Sequence, residues 1–190
     1  LPATMAGTGK GPGLLTRTRR RTNDLLGKAS MWRFQDHKER TRSFKKGDLE
    51  RVLQIYRQNF EGGSEKVIEG YSSLFDDIFY IIEGPSEQVI GYCVCYLRLE
   101  LQGMHLRKIA AIYSIAIDPA FQGQGLGNTL LEDCIQDLRK NNVHRIRLYA
   151  DVNNKPAVNL YLKHGFLITG TKENICGKGK TCNVMDLNLR

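Results

Sequence analysis

Nowhere in these 190 residues does an apolar run approach the ~20 residues that a membrane-spanning helix needs, so no membrane partner is expected. Cysteine is sparse and unpatterned. Cys93, Cys95, Cys134, Cys176 and Cys182 are odd in number and fall at no metal-ligand spacing. His105, His144 and His164 are scattered, so a metal site is not expected either. The first residues lack the apolar stretch of a secretory signal, which together with the cysteine usage points to a reducing, cytoplasmic compartment. Cys93, Cys95 and Cys134 sit in apolar patterns and are expected to be small core residues. Cys176 and Cys182 flank a Gly/Lys loop and could meet across a hairpin, but free thiols are the expectation.

The leading segment has few large apolar residues and a single acid. Residues 1–30 carry Lys10, Arg17, Arg19, Arg20, Arg21 and Lys28 against Asp24 alone, while the whole chain is at +8. Such a segment cannot build a core, and residues 1–39 are read as a basic extension without fixed structure. A nucleic-acid or ribosome-binding arm is the alternative use of that charge, although no nucleic-acid partner is expected. Gly7-Thr-Gly-Lys10 lacks the spacing of a P-loop.

What the chain does have is Ile115-Ala-Ile-Asp-Pro-Ala-Phe-Gln-Gly-Gln-Gly-Leu-Gly-Asn-Thr-Leu-Leu131. An apolar strand leads through Asp118-Pro119 into a glycine turn, and the turn leads directly into an amphipathic helix. Glycines there permit positive φ and close approach of a ligand to the backbone. The unpaired amides of a first helical turn, with the helix dipole behind them, attract anionic oxygens. The local physics is that of phosphate held by backbone.

Strands and helices alternate from Arg40 onward. A short strand over 40–44 precedes a helix beginning at Gly47-Asp48, and the Glu61-Gly-Gly-Ser64 break precedes a second helix. Gly84-Pro85-Ser86 joins two β-rich runs into a hairpin, and 108–117 is a further strand. Leu126, Leu130, Leu131, Cys134, Ile135 and Leu138 recur at helical spacing. Ile146, Leu148, Ala150 and Val152 alternate with polar residues as in a strand. Pro156 opens a helix that Gly165 stops, and a last hairpin surrounds Gly177-Lys-Gly-Lys180. A mixed α/β sheet with helices on both faces is predicted for residues 40–190.

Two motifs on these elements make the chain resemble the GNAT superfamily of N-acetyltransferases over residues 40–190. Gln122-Gly-Gln-Gly-Leu-Gly127 matches that family's Gln/Arg-x-x-Gly-x-Gly/Ala signature. Asn154-Lys-Pro-Ala-Val-Asn-Leu-Tyr161-Leu-Lys-His-Gly165-Phe166 is similar to its Asn-x-x-Ala-x-x-x-Tyr-x-x-x-Gly-Phe stretch. Both segments read most like the ribosomal-protein-alanine and other protein N-terminal acetyltransferases. The resemblance implies the acyl-CoA N-acyltransferase fold and acetyl-CoA as co-substrate. It implies that the backbone of Ile115, Ala116 and Ile117 fixes the pantetheine arm and thioester. The pyrophosphate would lie on the amides of Gly123, Gln124, Gly125, Leu126, Gly127 and Asn128, and the Asn154 side chain would contact CoA.

The resemblance also makes Tyr161 the general acid for the departing thiolate. A phenol with a pKa of about 10 stays protonated at neutral pH and can hand a proton to a thiolate of pKa about 8.5 only slightly uphill. The base is a departure: N-terminal acetyltransferases of this type carry Glu or His five residues before the Asn, where this chain has Tyr149. Glu61, Asp151, or water held by Tyr113, Ser114 or Tyr149 are the substitutes. An α-amine of pKa near 8 needs less help than a lysine near 10.4. A protein N-terminal α-amine is therefore the favoured acceptor. A polyamine, amino sugar or antibiotic is the runner-up, and a non-catalytic CoA-binding domain is third. The acceptor is expected between the first two helices, their loop and the last hairpin, with Lys163 a candidate for CoA's phosphates. A monomer or homodimer is expected.

Overall fold

The structure is a computed structural model that describes residues 3–4, 14–60 and 64–189, with side chains from Arg20 onward apart from the leading strand. The strands are β1 (Ala3–Thr4), β2 (Arg42–Ser43), β3 (Phe79–Glu83), β4 (Val89–Gln102), β5 (His105–Ile117), β6 (Arg145–Asp151), β7 (Leu167–Glu173) and β8 (Thr181–Asn188). The helices are α1 (Leu14–Ala29), α2 (Leu49–Asn59), α3 (Glu65–Leu74), α4 (Leu126–Lys140) and α5 (Lys155–Lys163). One mixed sheet runs β2-β3-β4-β5-β6-β8-β7, with β1 beside β5.

Two chain-distant strands, β5 and β6, meet in parallel at the centre of this sheet, and all its other pairings are antiparallel. The parallel ladder is short: only Ile109–Ala111 pair with Arg145–Arg147. Beyond it the two strands diverge, leaving the C-terminal half of β5 without β6 as a neighbour. β1 pairs there with Ile115 and Ser114. The β4–β5 register shifts at Val94/Cys95, where Ser114 and Ile112 on β5 flank an extra residue, Tyr113. Such a bulge re-aims the side chains around it.

Alternation along β4 assigns the two faces of the sheet. Tyr96 stacks on Tyr71 of α3, with centroids 4.8 Å apart. Cys95 lies 3.7 Å from Cys134 of α4 on the opposite side. Helices α1, α2 and α3 thus cover one face and α4 the other, as the expected α/β architecture requires. Leu130, Leu131, Cys134 and Leu138 of α4 are fully buried. Each leucine contributes about 1.5–3 kcal/mol from apolar burial. Cys93, Cys95 and Cys134 are buried free thiols, as their surroundings predict.

Two expectations need correction. The segment read as unstructured from its composition carries α1, which packs on β4 and α3. Its contacts are specific rather than greasy: Lys28 pairs with Asp76 and Asp77, and Met31 is buried behind it. The following stretch is stitched to α4. The amide of Gln35 donates to Asn141 Oδ1, that of His37 to Asp137 Oδ1, and those of Glu39, Arg40 and Thr41 to the Asp133 carboxylate. Spaced four apart, these three polar residues form one stripe on α4. Composition is blind to such hydrogen bonds because the acceptors lie about a hundred residues away.

Cys176 and Cys182, expected to be free, form a disulfide with their Cα atoms 6.0 Å apart. The β7–β8 hairpin brings them into bridging range. That pairing weakens the argument from cysteine usage to a reducing compartment. Among the described residues, no helix is long and apolar enough to cross a membrane.

Candidate active site

The glycine turn is anchored before it begins. Asp118, which follows β5, accepts from the Ala120 amide at 2.8 Å and pairs with Arg51 of α2. Gln122 then folds back, its Nε2 donating to Asn59 Oδ1 and to the Ile117 carbonyl, both at 3.0 Å. The motif glutamine is thus a brace holding the turn against α2 and the end of β5. Gly123 and Gly125 have φ of 79° and 80°, and Gly125 is the N-cap of α4. Side chains rarely adopt that backbone, which is why glycine stands at both positions.

A cavity of about 320 Å³ opens over this turn. Its wall is Ile115–Ile117 on one side, the turn and the start of α4 below, and Leu160 of α5 opposite. The rail expected at Ile115, Ala116 and Ile117 and the cradle at Gly123, Gly125, Leu126, Gly127 and Asn128 therefore converge on one space. Gln124 is exposed and does not line it. The Asn128 amide donates to the Gly125 carbonyl at 2.9 Å, while its side chain shares a 3.1 Å hydrogen bond with His164 Nε2. Asn128 thereby ties the start of α4 to the end of α5. Burial lowers the His164 pKa.

Asn154 stands at the start of α5. Its Oδ1 accepts from the Ala157 amide at 3.2 Å, capping α5. The residue does not line the cavity. A cap of this kind is worth about 1 kcal/mol to the helix, and it sets the angle at which α5 presents Leu160 and Tyr161.

Tyr161 is fully buried against Phe166. Its hydroxyl has no hydrogen-bond partner among the described residues. Burial, with Cys93 nearby, pushes its pKa far above the ordinary phenol range. A buried hydroxyl left unpaired costs about 1–3 kcal/mol. It is a protonated donor with no internal acceptor, on the helix whose Leu160 lines the cavity; Tyr161 itself does not line it. Its raised pKa makes proton transfer to a thiolate more uphill than from an ordinary phenol.

A second cavity, about 270 Å³, lies on the α1–α3 side of the sheet. Tyr96, Tyr113 and Tyr149 form its sheet wall. Ser64 and Val67 of the α2–α3 region and Ile175 of the last hairpin close it. Ser64 belongs to the loop expected to grip an acceptor, whereas residues 71–75 and 177–180, expected there too, do not line this cavity. Arg20 of α1 and Arg98 of β4 also line it, and no motif pointed to either. Burial raises the pKa of Tyr96 and Tyr113, so these phenols are neutral at physiological pH.

The candidates for the base fare unequally. Glu61 lies outside the described residues. Asp151 is held by the Asn153 amide and Lys180 and does not line the cavity. Ser114 is buried, with its hydroxyl hydrogen-bonded to Tyr92 at 2.9 Å, so it drops out as a ligand for water. Tyr113 and Tyr149 do face the cavity. Among the described lining residues there is no carboxylate and no histidine.

Comparison with known proteins agrees with this geometry. Residues 49–166 match the Acetyltransferase (GNAT) family. A putative ribosomal protein bS18-alanine N-acetyltransferase of Bacillus subtilis is 27% identical over 139 residues, covering 72% of this chain and 86% of that protein. An uncharacterized N-acetyltransferase of Methanocaldococcus jannaschii is 27% identical over 135 residues, which span 66% of this chain and only 59% of that protein. Among solved structures, Arabidopsis thaliana Naa50 in complex with the bisubstrate analogue CoA-Ac-MVNAL superimposes with a TM-score of 0.67 at 21% identity. The superposition covers 78% of this chain and 97% of that one, and at this identity the likeness is one of fold.

Proposed function

For a chain that belongs to the GNAT family, and so is an acetyl-CoA-dependent N-acetyltransferase, we propose that the acceptor is the α-amine of a protein N-terminus. The observation that carries this reading is the second cavity, whose described wall offers phenols and guanidinium groups but no carboxylate or imidazole. Such a site is poorly equipped to deprotonate a lysine of pKa about 10.4 and better suited to an α-amine near 8. Relatives whose names include protein-alanine acetyltransferases support the same reading.

In this mechanism the backbone of Ile115–Ile117, beyond the short β5–β6 ladder, carries the pantetheine arm, and β1 gives up its pairing with Ile115 to it. The amides of the Gly123–Gly127 turn hold the pyrophosphate, and the helix dipole of α4 adds to their attraction. The amine enters from the second cavity and releases its proton to water placed by Tyr113 and Tyr149. Its nitrogen attacks the thioester carbonyl, whose developing oxyanion is held by backbone amides of the rail. The C–S bond then breaks, Tyr161 gives its proton to the thiolate, and the excess proton on the acylated nitrogen leaves through water, restoring the Tyr161 phenol.

The test is turnover of peptides beginning in Ala or Ser compared with a panel of polyamines, amino sugars and free amino acids, all with acetyl-CoA. Acetylation confined to the small amines would overturn the peptide acceptor in favour of the runner-up.

A further inference from the structure

We propose that the acceptor carries a carboxylate close to its amine, in the form of an Asp or Glu side chain just after a peptide's N-terminal residue, and that Arg20 and Arg98 select it. This rests on the second cavity being the acceptor site.

Of the twelve arginines whose side chains are described, six are ion-paired to a carboxylate and six (Arg20, Arg21, Arg33, Arg98, Arg107 and Arg139) are not. Arg20 and Arg98, the two that line the cavity, are in no ion pair among the described residues. Their other contacts leave donors open. Arg20 Nη2 donates to the Tyr71 hydroxyl at 3.0 Å, and Arg98 lies over the Tyr96 ring, its Cζ 4.9 Å from the centroid. The Arg98 Nε is buried and has no acceptor. A buried N–H of a guanidinium left without a partner is costly, and a carboxylate oxygen arriving from the cavity removes that cost.

The nearby charges point the same way. Lys172 lies over the ring of Tyr149, its Nζ 5.8 Å from the centroid, and is also without an ion pair among the described residues. The one described carboxylate that acts on both arginines is Asp24, which is buried beside them and does not line the cavity. It offsets one positive charge out of three.

A groove between α1 and α3, about 410 Å³, continues from the cavity and shares Arg20 and Val67 with it. Arg21 and Lys66 line it together with Asp24. A peptide extends at about 3.3–3.6 Å per residue, so residues following an N-terminal amine in the cavity would run along this cationic channel. A basic residue there meets like charge, which discriminates against it. Helix α1 precedes residues 49–166, the part matching the family, so the Arg20 share of this selection would lie outside that part and the Arg98 share within it.

The experiment uses the full chain, acetyl-CoA and peptides that differ only at their second and third residues (Asp/Glu, Ala/Gln or Lys/Arg). A parallel set of small amines with and without a carboxylate is included. We expect kcat/KM to fall from acidic to neutral to basic peptides, by about tenfold from end to end and mainly through KM. The advantage should shrink in about 0.5 M NaCl, where the Debye length is only a few ångströms. Arg20→Gln and Arg98→Gln should each flatten it, and Arg20→Glu should reverse it.

Equal rates for all charges, a preference for basic peptides, or an acidic advantage untouched by both glutamine variants would overturn the proposal. If peptides are inert while carboxylated small amines outrun uncharged ones, the peptide reading fails and selection by Arg20 and Arg98 stands. If nothing turns over, calorimetry with CoA and N-acetylated acidic or basic peptides gives the same comparison, and equal affinity would count against it.

Discussion

Gly27 of α1 lies flat against the Leu97 carbonyl of β4, so close that a Cβ on Gly27 would overlap the carbonyl oxygen. This contact sets how deeply α1 sits on the sheet, and with it where Arg20, two turns earlier, meets the second cavity. Gly27→Leu should therefore raise KM for the acceptor several-fold while leaving KM for acetyl-CoA within about twofold, because the glycine turn is on another part of the sheet. Equal damage to both constants would show that α1 does not shape the acceptor site.

Tyr161→Phe removes a hydroxyl that has no internal partner, so little folding stability should be lost. If Tyr161 protonates the thiolate, kcat should drop by about a hundredfold with KM for acetyl-CoA nearly unchanged. Steady-state kinetics with both substrates varied checks this, and an unchanged kcat would remove Tyr161 from the mechanism.

Gly125→Ala forces a side chain onto a backbone at φ 80°, although open space surrounds the position. The strain is about 1–2 kcal/mol, and it falls on the turn proposed to cradle the pyrophosphate. Affinity for CoA, read by calorimetry, should weaken by about tenfold.

Asp133→Ala leaves the amides of Glu39, Arg40 and Thr41 and the Thr41 hydroxyl without their shared acceptor. A loss of about 3 kcal/mol in urea unfolding is expected. A loss below about 0.5 kcal/mol would mean that the strap over residues 35–41 is held by something else.

Asp186 gives a pH signature. Burial acts to raise its pKa, but the bidentate hydrogen bonds and charge of Arg147, at 2.7 and 2.8 Å, bring it below the ordinary carboxylate value. A lowered folded-state pKa means the pair stabilises the fold above the unfolded value, near pH 4. The contribution disappears as pH falls through the lower folded value. Unfolding followed from pH 6 to pH 2 should show that loss, and Arg147→Gln should reduce it.

The two motif segments were legible because their chemistry is local. A strand, a glycine turn and a helix start lie within seventeen consecutive residues, so Ile115–Ile117 and Gly123–Gly127 could be assigned to one ligand before any fold was known. Tyr161 was legible by its spacing from Asn154 and Gly165. The capping role of Asn154 could have been found the same way, from its place just before Lys155-Pro156.

The acceptor side was not legible. Arg20, Tyr96, Arg98, Tyr113 and Tyr149 come from α1 and three different strands, and only the sheet and its Tyr113 bulge bring them around one cavity. Helix α1 was missed because its stability lies in pairings with partners some fifty residues away, such as Lys28 with Asp76 and Asp77. Local sequence thus determined the candidate donor site, whose geometry is made by consecutive backbone atoms. Tertiary structure decided the proposed acceptor site, because its charges and rings acquire meaning only from the distances that folding sets between them.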